Sequence, residues 1–133
     1  MTTELYWLTL TLLMTALFWL PYVLDRIATR GLLGATLGTT PETGEKQSPW
    51  AQRAMKAHAN AIENLAIFAP AVLALHLLNV STPTTRLAAA AYFFARLAHF
   101  LVYTLGIPFA RTPAFAVAWA AQIALIAALL KWV

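Results

Sequence analysis

The chain has 133 residues, of which 61% are hydrophobic and 11% charged, and its mean hydropathy is +0.69. That texture excludes an ordinary soluble domain and fits an integral membrane protein, whose spans stay apolar for about 20 residues at a stretch. The net charge of +4 is small and the bases line no single polar face, so it reads as membrane topology and not as a nucleic-acid footprint. With no cysteine, the chain has no disulfide, Cys-ligated metal or thiol nucleophile of its own.

Four apolar segments follow in order: Leu5 to Leu24, Leu65 to Val80, Leu87 to Ile107, and Pro113 to Leu130. The first has no base before Arg26 and is longer than the apolar region of a cleaved leader, so it is read as a retained span. The second is short, but Pro49 and the helix-favouring stretch Trp50 to Asn64 extend it into one helix that starts in water and continues into lipid. Between them, Gly31 to Ser48 holds Gly31, Gly34, Gly38, Pro41 and Gly44 and reads as a loop with little helix. Short links at Asn79 to Thr85 and Gly106 to Thr112 make successive helices antiparallel neighbours. The expectation is all-α: one integral membrane four-helix bundle, up-down in topology.

Basic residues set the orientation. Arg26, Arg30, Lys46, Arg53 and Lys56 fall in the first loop and Arg111 in the third, against Arg86 and Lys131 on the opposite side. Loops one and three should face the cytoplasm, with both termini outside. The third and fourth segments are rich in alanine, which lets helices approach closely in lipid and favours tight bundling and oligomerisation.

Two polar stripes run into these apolar segments. At about 100° per residue, Arg53, Lys56, Asn60, Glu63 and Asn64 share one arc of the second helix, whereas His58 points away and is left out of the site. On the third helix, Tyr92, Arg96, His99 and Tyr103 recur at intervals of four, three and four and share a narrower arc. An arginine inside a span costs about 2.5 to 3.5 kcal/mol on insertion scales, so Arg96 should face the bundle interior, a partner or a water-filled cavity. Two readings stay open: a solvated helix end with a structural Glu63 to Arg96 ion pair, or a site whose surplus of donors receives an anionic guest. Arg111, beside the start of the fourth helix, would add to an anion site there. Arg26 and Arg30, ending the first helix, serve topology or reach the same cavity. His76 and the tryptophans near span ends read as interfacial residues. No spacing of His, Asp and Glu suits a metal, and neither a phosphate loop nor a serine nucleophile elbow is present.

The string Arg53-Ala54-Met55-Lys56-Ala57-His58-Ala59-Asn60-Ala61-Ile62-Glu63-Asn64 with Phe68, and the later Arg96-Leu97-Ala98-His99 with Tyr103 and Arg111, resemble the second- and third-helix signatures of the membrane-associated proteins in eicosanoid and glutathione metabolism. The resemblance covers nearly the whole chain. It implies a homotrimer of four-helix subunits that binds glutathione between neighbours near the cytosolic membrane face. By position, Lys56 stands for a basic ligand, Asn60 and Glu63 match glutathione ligands, and His99 and Tyr103 fall at or near the bound tripeptide. Arg111 aligns with the arginine credited with stabilising the thiolate, and Arg26 or Arg30 with a first-helix arginine.

The implied function is a membrane glutathione transferase or peroxidase acting on a lipophilic small molecule, multi-pass in a bacterial inner membrane and surrounded by its lipid. Lys56, Arg96 and a first-helix arginine would orient the carboxylates, with Arg53 on the same stripe, while Glu63 takes the amino group and Arg111 faces the sulfur. The family also has a non-catalytic lipid-presenting member, which is the alternative. Ala59 stands where the prostaglandin synthase has arginine, Asn64 where leukotriene C synthase has tyrosine, and Phe115 near a third such difference, so the resemblance does not extend to eicosanoid specificity.

Overall fold

A computed structural model describes residues 1–36 and 47–132. Lys46 and the Gly38, Pro41 and Gly44 portion of the first loop lie outside the described residues. The described chain is helical without strands: α1 Thr3–Leu17, α2 Trp19–Thr36, α3 Pro49–Leu77, α4 Pro83–Leu105 and α5 Arg111–Leu129. Helices α1 and α2 together form the first of four segments long and apolar enough to cross a membrane, and α3, α4 and α5 are the others.

The first span is broken at Phe18. Pro21 has no N–H for the Leu17 carbonyl and its ring crowds that oxygen, so regular helix cannot run through. The amide of Phe18 instead closes a tighter turn onto the Thr15 carbonyl at 3.3 Å. Below the break the helix runs past Leu24, where apolarity alone would have ended it, because its polar residues find tertiary partners. Asp25 accepts hydrogen bonds from the amide and hydroxyl of Ser48, and Arg30 donates to Gln47 Oε1 at 3.3 Å. Gly31 then leaves helical geometry with φ 73°, a value that glycine adopts without Cβ strain. The expected loop from Gly31 therefore carries one more helical turn, to Thr36.

Helices α3 and α4 each begin on a proline. Pro49 opens α3, where Asp25 supplies from another helix the cap that Ser48 itself does not make. Pro83 opens α4 behind a capping box of Thr82 and Thr85. The same corner holds Glu4, a carboxylate only 2% exposed, which accepts from the hydroxyls of Ser81 and Thr85. A negative charge at the start of a helix is favoured by its dipole, so this contact pins the beginning of α1 to the α3–α4 turn.

Contacts along the bundle fix its sense. Glu4 meets Thr85 at one end, and Tyr22 meets His58 at the other, so the first span is antiparallel to α3. Arg53 reaches Thr104 and Phe68 stacks on Tyr92, so α3 is antiparallel to α4. Alanines line the buried seams: Ala54, Ala57, Ala61 and Ala71 on α3, Ala88, Ala89 and Ala95 on α4, and Ala118, Ala121 and Ala128 on α5. In lipid, where burial of apolar surface gives little drive to associate, such close backbone approach supplies the packing. Two face-to-face ring pairs, Phe68–Tyr92 and Phe18–Phe100, each 3.8 Å between centroids, fill the wider gaps. Gly106 ends α4 in a left-handed conformation at φ 70°. Three residues on, Phe109 has φ 69°, which costs a side-chain-bearing residue about 1–2 kcal/mol.

Candidate functional site

Arg96 is the centre of the polar interior. It sits in mid-α4, only 1% exposed, and its Nη2 donates to Asn60 Oδ1 at 2.7 Å. Nε and Nη1 of Arg96 have no hydrogen-bond partner, and one turn on neither has Nδ1 of His99, itself 4% exposed. Glu63, the counter-charge that the sequence suggested, is exposed; the near partner is Asn60, one helical turn earlier, whose shorter amide lies on the inward side of α3. Asn64 Nδ2 donates back to the Asn60 carbonyl at 2.9 Å and to Oδ1 at 3.3 Å, and Gln122 Nε2 of α5 donates to the Asn64 carbonyl at 2.9 Å. These amides tie three helices together and hold Asn60 towards the guanidinium. Among the described residues, no carboxylate bonds to Arg96.

Toward the end of α4 lies a cleft of about 260 Å3, lined by Arg53, Val102, Tyr103, Gly106, Ile107, Pro108 and Arg111. Arg53 Nε donates to the Thr104 carbonyl at 3.0 Å, one of the last carbonyls of α4 that have no helical partner. Gly106 makes room for that contact, since a Cβ there would lie 3.1 Å from Arg53 Cζ. Across the cleft, the Arg111 guanidinium carbon stands 4.9 Å from the centre of the Tyr103 ring, a cation–π arrangement that orients it. The His99 ring lies 5.6 Å from Tyr103 and 6.3 Å from Phe115, within electrostatic reach of both Arg96 and Arg111. Two arginines thus line a cleft whose lining contains no acid, and Arg96 lies buried deeper along α4.

The arc of α3 divides three ways. Arg53 enters the cleft, Asn60 and Asn64 turn inward, and Lys56 and Glu63 are exposed on the outer face of the helix. Arg26 is half-buried on α2, with its Nε unbonded, and Arg30 reaches Gln47; neither lines the cleft. His58, set aside by its direction, bridges to the first span, with Nδ1 2.7 Å from the Tyr22 hydroxyl. Gln122 was missed. Its signal was legible, as a single amide within the apolar run Pro113 to Leu130, because a polar residue inside a span needs a partner. Among the described residues, no three of His, Asp and Glu group as a metal site would require.

The sequence pattern of the MAPEG family matches residues 5–131. The chain belongs to that family. No curated protein and no solved structure matches it. A MAPEG chain with four membrane-spanning segments is an integral multi-pass membrane protein of glutathione or eicosanoid metabolism.

Proposed function

We propose that this MAPEG protein is a membrane glutathione transferase or peroxidase that presents the glutathione thiolate to lipophilic electrophiles. The observation that carries the reading is Arg96, a buried guanidinium with two unbonded nitrogens and, among the described residues, no carboxylate bonded to it, about two turns along α4 from a cleft walled by Arg53 and Arg111. Removing a cation from water without a partner is costly. An anionic peptide with two carboxylates supplies what the chain withholds.

In this reading Arg53 and Arg96 receive the carboxylates, Lys56 and Arg26 or Arg30 of a neighbouring copy add to them, and Asn60 and His99 fix the peptide between them. Lys56 and Glu63 face outward, so their part is played toward a neighbouring copy in a homotrimer, where Glu63 takes the ammonium group. Tyr103 holds Arg111 over the sulfur. A thiol of ordinary pKa about 8.5 is mostly protonated at neutral pH; lowering it by about two units takes about 2.7 kcal/mol, within reach of a guanidinium in a partly dry site. The sulfur lone pair then forms a bond to the electrophilic carbon, and the leaving group departs with its electron pair. With a hydroperoxide, the thiolate attacks the terminal oxygen and releases the alcohol; a second thiol forms the disulfide and releases water. Loops one and three lie on the cytosolic side of a bacterial inner membrane, where glutathione is dissolved, while the acceptor arrives from lipid.

The test is the ultraviolet difference spectrum of glutathione thiolate on titrating purified protein in detergent micelles. Arg111→Ala should bind glutathione with little change while losing the thiolate signal and at least about 90% of turnover, the loss expected when one charge-stabilising donor is removed. Absence of glutathione binding by the unaltered protein would overturn the reading. One observation favours a second reading, a lipid-presenting protein without chemistry: an open apolar groove of about 270 Å3 between α4 and α5, lined by Leu87, Ala91, Val117 and Ala124 among others. That reading predicts lipid binding with glutathione-independent background rates.

A further inference from the structure

The turn joining α4 to α5 carries apolar side chains where a water-facing turn would carry polar ones. Leu105 is 66% exposed, Ile107 43% and Phe109 89%. Phe109 also holds a left-handed backbone conformation at φ 69°, which asparagine and glycine tolerate far better than phenylalanine. The turn at the other end of α4 makes the contrast within the same chain: its left-handed position, φ 55°, is filled by Asn79. A strained phenylalanine that is also bare is disfavoured twice, so its ring has a use outside the described chain.

We infer that the Leu105–Phe109 turn is an interfacial lip, seated in the boundary between phospholipid headgroups and acyl chains, over which lipid-dissolved acceptor reaches the cleft. Two membrane-spanning helices end and begin here, at Leu105 and Arg111, so the turn lies at the level of that boundary. Its inner side, Ile107 and Pro108, forms the cleft wall, and Arg53 and Arg111 stand at the same opening. Apolar rings beside cations match an interface in which acyl chains lie beside anionic phosphates. The lipid seat stands independently of the chemistry proposed above; the role in acceptor access rests on it.

The chain has no cysteine, so Phe109→Cys and Leu105→Cys each give a single site for a nitroxide spin label, in vesicles of phosphatidylcholine and phosphatidylglycerol. The same label on a water-soluble peptide is the aqueous reference. Labels at 109 and 105 should collide with dissolved oxygen several-fold more than with a water-soluble nickel chelate, relative to that reference. A ratio equal to the reference would overturn the lip by placing the turn in water. Labels immobilised and shielded from both colliders would overturn it in favour of a contact with a second copy. In a kinetic arm, Phe109→Ser should raise KM for a vesicle-partitioned aromatic halide about fivefold, less than full burial of a phenyl ring would supply, and leave KM and kcat for a water-soluble acceptor unchanged. Equal effects on both acceptors would overturn the access role. If the unaltered chain turns over neither acceptor, the chemistry fails, and the collision ratio still decides the seat.

Discussion

Asn60 and Arg96 should respond in opposite ways to removal, although they form one hydrogen bond. Asn60→Ala takes the acceptor from Nη2 and leaves a guanidinium 1% exposed with its remaining nitrogens already unbonded. Hydrogen bonds to charged groups are worth about 1.5–3 kcal/mol, so the variant should lose about 2 kcal/mol and roughly 6 °C of thermal midpoint. Arg96→Met removes the charge itself while keeping a long flexible chain in the gap. Exchanging a buried ion for an apolar side chain is often neutral or stabilising, so its midpoint should stay or rise, and the double variant should recover most of what Asn60→Ala lost. Binding should tell the other half: Arg96→Met should weaken glutathione about 10- to 100-fold, the value of a charge-assisted contact to a carboxylate. Thermal unfolding in detergent and glutathione titration of the three variants decide it. If Arg96→Met unfolds as early as Asn60→Ala and binds glutathione normally, Arg96 is a structural member and the argument from its missing partner fails.

Gly106→Ala combines a strained φ of 70° with a Cβ 3.1 Å from Arg53 Cζ; it should cost about 1 kcal/mol and, by moving Arg53, weaken glutathione more than it lowers the unfolding midpoint, as parallel titration and melting would reveal. Glu4→Ala leaves the hydroxyls of Ser81 and Thr85 without their acceptor and should lose about 1–3 kcal/mol, seen in unfolding and in faster amide exchange at the start of α4, with glutathione affinity unchanged because the corner lies at the far end of the bundle. Glu63→Gln, on an exposed face, should leave the unfolding midpoint within about 1 °C yet reduce glutathione affinity about tenfold through loss of a charged partner for the ammonium; equal affinity would remove Glu63 from the site.

Composition and span length made the four-segment architecture legible, because a bilayer imposes about 20 apolar residues on every crossing whatever the fold's details. The single long α3 was legible too, from Pro49 and the helix formers that follow it. The break at Phe18 was not, although Pro21 announces it: hydropathy windows average across a proline. The first helix was read as far as Arg30, but the contacts that hold that end, Asp25 to Ser48 and Arg30 to Gln47, were hidden because they join residues far apart in sequence. For the site, the arc containing Arg53 to Asn64 was visible at helical spacing, but an arc about 100° wide straddles the line between inward and outward faces. Only packing decides that Asn60 turns in and Glu63 out. Gln122 completes the amide ladder from α5, and no periodicity on α3 or α4 could name it.

The cleft's electrostatics follow from how helix ends meet. The last carbonyls of α4 bear partial negative charge, and Arg53 covers the one at Thr104. The first turn of α5 bears partial positive charge; its cap residue, Ala110, has no side chain to satisfy those amides, and Arg111 and Tyr103 stand at that end. One dipole end is therefore neutralised by a cation while the other is left positive and reinforced, so the opening favours an anion even before Arg96 is counted. Arg96 then adds charge from behind, at a depth where water cannot screen it. Substituting any one arginine removes part of a field that several groups build together, so effects on glutathione affinity should be non-additive between Arg53 and Arg96, which both receive its carboxylates, and additive for Glu4, a full span away.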